Sequence, residues 1–151
     1  MYLAHSFMSD EKQESSQPPL VLVVEDHEDS LLLISYVLES FGCGFICQKD
    51  SSATLTVAKE YQPDLIMLDI VLPGMNGLEM VRYLKQEPTT CQIPVVAVTA
   101  LASEEDQQYI LGAGFDEYIG KPYMIEDLEA IIYRLLNKKL ASPSAFEVCQ
   151  E

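Results

Sequence analysis

The chain has 151 residues, 48% of them apolar, and carries a formal net charge of −15. That length suits one domain with a sizeable core, the composition is too apolar for a disordered chain, and no apolar run reaches the ~20 residues of a membrane span. Lys138-Lys139 is the only basic pair, so a phosphate backbone would meet repulsion and no basic patch; neither nucleic acid nor membrane is expected as a partner.

Residues 1–18 read as a flexible polar leader ending in Ser-Ser-Gln-Pro-Pro, with no basic and apolar run of a secretory signal. Leu20 to Val24 is an apolar run closed by Glu25-Asp26. From Asp29 or Ser30 to Phe41, the residues Leu31, Ile34, Leu38 and Phe41 recur at helical spacing, and Gly42 stops the helix. Cys43 to Gln48 predicts a second strand. A helix from Ser51 or Ser52 to Tyr61 follows, ended by Gln62-Pro63.

The third strand is Leu65-Ile66-Met67-Leu68, which lacks period-2 alternation and therefore suits a strand buried on both faces of a parallel sheet. It ends at Asp69 and breaks into Pro73-Gly74. Asn76 with Glu79 resembles a capping box for a helix over Gly77 to Gln86. Ile93 to Thr99 is the fourth strand, with its proline near the start, where a missing N–H is best tolerated. Ser103 and Asp106 predict a cap for a fourth helix ending near Gly112-Ala113-Gly114, and Phe115 to Ile119 a fifth strand. Met124 to Asn137 is a last amphipathic helix with Leu128, Ile131, Ile132 and Leu135 inward, and residues 139–151 read as a frayed tail.

Five strands alternate with five helices. This predicts a doubly wound α/β fold with a parallel sheet and right-handed crossovers. In a 2-1-3-4-5 strand order, ligands bind at the carboxyl ends of the strands near the switch point. Glu25-Asp26, Asp69, Thr99 and Lys121 all fall at such ends. Three carboxylates without a cation repel and raise at least one pKa; a hard divalent cation removes the conflict, and magnesium suits it. Asp69 can then attack phosphorus, Lys121 can hold a phosphoryl oxygen, and the Thr99 hydroxyl can donate to another. His27 is read as a loop residue, because magnesium prefers oxygen. Cys43, Cys47, Cys91 and Cys149 lack the CxxC spacing of zinc or redox sites. Free thiols without a signal peptide fit a reducing cytoplasm.

Val-Glu-Asp at 24–26, Leu-Asp-Ile-Val-Leu-Pro-Gly-Met-Asn-Gly at 68–77, Val-Thr-Ala at 98–100 and Lys-Pro at 121–122 together resemble the receiver domain of bacterial two-component response regulators, the CheY-like fold. The resemblance covers residues 20 to about 138, within an expected domain of 19–138. It implies that Asp69 accepts phosphate from a sensor histidine kinase or a histidine phosphotransfer domain. Glu25, Asp26, Asp69 and the carbonyl of Val71 would hold Mg2+, with Mn2+ as a substitute. It further implies Thr99 and Tyr118 as a switch pair and a cis peptide at Lys121-Pro122. Val71 and Leu101 occupy the positions that tune the lifetime of the phosphorylated state; both are apolar, which predicts slow loss of phosphate.

About thirteen residues follow the last helix, so the expected output is a phosphorylation-dependent contact with a downstream protein, by a monomer or weak homodimer. By resemblance that contact uses the face of helix four, strand five and helix five, which here carries Glu104, Glu105, Asp106, Gln107, Gln108, Asp116 and Glu117. Three other readings stay open. An aspartyl-nucleophile phosphatase would need a second Asp where Val71 stands. A flavodoxin-like cofactor binder would need a polar phosphate loop in place of the acidic residues 25–29. A receiver-shaped scaffold would work without phosphate.

Overall fold

The structure is a computed structural model that describes residues 17–71, 74–100 and 103–137. The expectations for the leader, the tail with Lys138-Lys139, Pro73, Leu101 and Cys149 fall outside those residues. Five strands, β1 (Leu20–Val24), β2 (Gly44–Gln48), β3 (Leu65–Asp69), β4 (Val95–Thr99) and β5 (Glu117–Gly120), alternate with helices α1 (Glu28–Ser40), α2 (Thr54–Tyr61), α3 (Gly77–Gln86), α4 (Glu104–Ala113) and α5 (Ile125–Leu136). All strand pairs are parallel, in the order β2-β1-β3-β4-β5. This is the predicted doubly wound α/β architecture.

The apolar strands sort their side chains by the period-2 rule. Val21, Val23, Leu65, Met67, Val96 and Val98 meet α1 and α5 through Ile34, Val37, Leu38, Leu128 and Ile132. Leu22, Val24, Ile66, Leu68, Val95 and Ala97 meet the opposite helices through Ala58, Met80, Val81, Leu84 and Ile110. Each such fully buried aliphatic side chain contributes on the order of 1.5–3 kcal/mol. The three central strands are therefore held by apolar packing on both faces, up to their polar tips. In α5 Leu136 takes the fully buried place expected of Leu135, which packs at the cluster's margin.

Several boundaries differ from expectation for identifiable reasons. Helix α1 starts at Glu28, one or two residues earlier than predicted, with His27, a residue without cap preference, as its N-cap. Pro94 lies outside β4; it offers its carbonyl to Ile66 N–H (3.0 Å) but has no N–H to return. Strand β5 starts later than Phe115, because Asp116 turns its carboxylate back onto Val95 N–H (2.8 Å) and Lys85 Nζ (3.0 Å). Asn76 caps α3 through Leu78 N–H at 2.7 Å in place of a box with Glu79. Ser103 and Asp106 do form the complete capping box on α4.

Two contacts hold the connection between β3 and α3. Ser51, in a 3-10 turn over Ser51–Ala53, donates its hydroxyl to Met75 C=O. Gly74, at φ +98°, backs against Asp50 and Ser52, where a Cβ would collide. Gly77 opens α3 against the backbone of Ile70, the residue after Asp69; a Cβ there would lie 2.8 Å from Ile70 Cα. Gly77→Ala should therefore destabilise the fold by roughly 1–3 kcal/mol through overpacking, measured as a lowered urea midpoint. An unchanged midpoint would show that the connection yields freely.

Candidate functional site

Parallel pairing places the ends of β1, β3, β4 and β5 side by side. Val24 is opposite Leu68, Asp69 opposite Val98, and Thr99 opposite Gly120. The ladder continues briefly past β1 through Glu25 N–H to Gln48 C=O (2.9 Å), which fixes Glu25 at the sheet's rim with only 1% of its surface exposed. Asp69 is 4% exposed and Thr99 is fully buried. Lys121 follows β5, its N–H bonded to Thr99 C=O (2.7 Å), and the Lys121–Pro122 peptide bond is cis.

The lysine closes the arrangement. Its Nζ lies 2.8 Å from Asp69 Oδ2 and 3.1 and 3.2 Å from the two oxygens of Glu25. Asp69 Oδ1 accepts Val71 N–H at 3.0 Å, while the Val71 side chain is exposed. Glu25 Oε2 also accepts His27 N–H at 3.0 Å. Glu25 Oε1 is buried and receives no well-directed hydrogen bond, only the ion pair with Lys121. Asp26 completes the acidic group at the solvent edge.

Burial is the largest influence on Asp69 and, with the Glu25 charge, holds its carboxyl above the ordinary aspartate range, against the pull of Lys121 and Val71 N–H. Burial also pushes Glu25 up, but the His27 N–H and the Lys121 ammonium outweigh it, so Glu25 lies below its ordinary value. Burial works against the charged form of Lys121, yet its bonds to Asp69 and Glu25 win and raise it. One ammonium therefore bridges two buried carboxylates, with Asp26 beside them as a third acid.

The donor set fits a divalent cation. Glu25, Asp26 and Asp69 each offer an oxygen, and His27 a ring nitrogen, all within 4.8 Å of one another. The buried, poorly satisfied Glu25 Oε1 is the kind of atom a cation would satisfy. A cleft of about 470 Å³ opens beside the group, between the start of α1 and the β5–α5 connection, lined by His27, Ser30, Leu33, Ala100, Pro122 and Tyr123.

The structure thus brings Glu25, Asp26, Asp69 and Lys121 together, with Thr99 at the adjoining strand tip. Tyr118 lies elsewhere: half-buried on β5, it packs against the cluster beneath α2, α3 and α4. His27, set aside on sequence, stands against the acids, its Nδ1 3.2 Å from Glu25 Oε2 and 3.5 Å from Asp26 Oδ1. Its position directly after the acidic pair was the available signal. The acidic face is also smaller than its sequence suggests, since Asp116 is engaged by Lys85 and Glu117 by Arg134 (3.0 Å). Glu104 and Glu105 remain exposed at the start of α4.

Comparison with known proteins agrees with this geometry. Residues 21–133 match the response regulator receiver domain. The chain is 38% identical over 108 residues to the polar-differentiation response regulator DivK of Brucella anthropi, covering 72% of this chain and 88% of DivK. It is 38% identical over 127 residues to the phosphate regulon transcriptional regulatory protein PhoB of Escherichia coli, covering 84% of this chain but only 55% of PhoB. A solved receiver domain of the sensor histidine kinase PA1611 from Pseudomonas aeruginosa superposes with a TM-score of 0.73 at 26% identity, covering 80% of this chain and 99% of that one. It carries a magnesium ion coordinated in its active site cleft. Among the described residues no helix is long and apolar enough to cross a membrane. The chain belongs to the response regulator receiver domain family, the signalling module of two-component systems.

Proposed function

We propose that this receiver is a phosphorylation switch in which Asp69 takes a phosphoryl group from a phosphohistidine of a sensor histidine kinase or histidine phosphotransfer domain. The observation that carries the reading is the buried Asp69 carboxylate held 2.8 Å from Lys121 Nζ, beside two further carboxylates. An Asp69 oxygen attacks phosphorus and the phosphorus–nitrogen bond breaks, its electron pair remaining on the donor imidazole. Glu25, Asp26, Asp69 and the Val71 carbonyl would hold Mg2+, or Mn2+ in its place; bound there, the cation neutralises charge on the phosphoryl oxygens.

Lys121 exchanges its Asp69 contact for a phosphoryl oxygen, and the Thr99 hydroxyl donates to another. Tyr118, already at the margin of the core, turns inward in response, and the surface of α4, β5 and α5 changes with it. Glu104 and Glu105 on that surface favour a downstream protein with basic or hydrogen-bonding groups. Cys43, Cys47 and Cys91 are free thiols, in keeping with a cytoplasmic setting; the chain acts as a monomer or weak homodimer.

With acetyl phosphate and Mg2+, intact mass should rise by one phosphoryl group in wild type and stay constant in Asp69→Asn. No adduct on wild type would favour a phosphate-independent scaffold, and steady turnover of the phosphodonor would favour a phosphatase. The exposed, apolar Val71 gives no polar group to guide water toward the phosphoaspartate. Val71→Asn should therefore shorten the life of the adduct several-fold, followed by mass over time; an unchanged or longer life would count against this role.

The crowded acids also set a stability relation. Because the folded protein raises the Asp69 pKa, the favourable contribution of its protonated form is present below the unfolded aspartate pKa. It is lost as pH rises through the folded value. In EDTA at neutral pH, Asp69→Asn should thus unfold at higher urea than wild type, and the difference should shrink on acidification and on adding Mg2+. A destabilised Asn variant would indicate that the Lys121 contact outweighs the repulsion.

A further inference from the structure

We propose that His27 is a nitrogen ligand at the cation site, so that this receiver holds a transition-metal dication such as Zn2+ more tightly than magnesium. The inference rests on the cation site proposed above and concerns which metal that site selects.

Four observations carry it. First, the spacing is that of neighbouring ligands. His27 Nδ1 lies 3.2 Å from Glu25 Oε2 and 3.5 Å from Asp26 Oδ1; two donors about 2.1 Å from one ion and at right angles to each other lie about 3 Å apart. Second, the ring is not spent on the helix it begins. His27 is the N-cap of α1, and its carbonyl accepts Leu31 N–H at 3.0 Å, but its side chain makes no capping bond and stands against the carboxylates instead.

Third, its backbone is already fixed in the group, since its own N–H donates to Glu25 Oε2 at 3.0 Å. The ring therefore starts from a backbone anchored beside the acids, and with 69% of the side chain exposed an ion reaches it from solvent. Fourth, Glu25 Oε1 is buried with no hydrogen-bond partner, only the ion pair with Lys121 at 3.1 Å, and Glu25 belongs to the group that includes His27.

The chemistry then decides the metal. Three carboxylates alone present hard oxygen, which suits Mg2+, an ion that demands near-ideal octahedral geometry and keeps its waters. An imidazole shifts the set toward nitrogen and oxygen, for which affinity rises along the first-row series and which suits zinc, nickel and copper better than magnesium. A ring that only hydrogen-bonded to the acids would have no influence on metal preference, which is the property the experiment reads.

The test is calorimetric titration of the full chain with MgCl2 and with ZnCl2, in wild type, His27→Gln, His5→Gln and Asp69→Asn. Wild type should bind Zn2+ more tightly than Mg2+, and His27→Gln should lower the ratio of the two affinities by roughly tenfold or more. His5→Gln should leave the ratio unchanged, and the visible absorption bands of the Co2+-loaded protein should shift in His27→Gln. An identical ratio in wild type and His27→Gln, or a ratio that follows His5, would overturn the inference while leaving the cation site intact. A wild type that binds neither ion, or binding that survives Asp69→Asn undiminished, would overturn the cation site itself.

Discussion

Two buried carboxylates from neighbouring strands share one ammonium, and the rest of the site is arranged around that imbalance. Glu25 and Asp69 lie at the tips of β1 and β3, shielded from solvent, and Lys121 bridges them from the end of β5. At an effective dielectric of 20, two unit charges about 4 Å apart interact by roughly 4 kcal/mol. Repulsion between the acids is then comparable with the attraction the lysine gives to either one. The lysine balances one carboxylate; the other, together with Asp26, leaves the group in acid excess. This unrelieved arrangement lies at the carboxyl ends of the central strands, beside the cleft between α1 and the β5–α5 connection.

The fold explains how such a group is tolerated. The three central strands are apolar on both faces and lie between two separate layers of helices, so the cost of clustering charge is confined to their tips. Thr99 and Lys121 reach the site through backbone pairing, in which the N–H of Lys121 is bound to the carbonyl of Thr99. The register of β4 and β5, fixed by apolar packing and by the Asp116 carboxylate on Val95 N–H, therefore determines where the hydroxyl and the ammonium stand.

Much of this was legible in the chain itself. The unalternating run Leu65–Leu68 marked a doubly buried strand, and the polar residues that close the runs of β1, β3 and β4 stand together at the candidate site. Capping was legible at Ser103 and Asp106, where both halves of the box are short polar side chains at the required spacing. It was less so at Asn76, where the same spacing to Glu79 left the cap bonded to Leu78. His27 escaped because its residue type argues against a magnesium ligand and only coordinates show that its ring leaves the helix end for the acids. Asp116 and Glu117 read as surface charge for a related reason. Their partners Lys85 and Arg134 are distant in sequence, and no local pattern announces a pairing set by the sheet.

The hydroxyl of Ser51 and the bare Cα of Gly74 join two connections that the chain separates by more than twenty residues. One leaves the edge strand of the sheet; the other leaves the strand that ends in Asp69. Because the serine bonds a main-chain carbonyl and the glycine leaves no room for a Cβ, these two connections pack directly against each other. A shift in the connection that follows Asp69 would therefore load the turn after the outermost strand, as well as the start of the third helix.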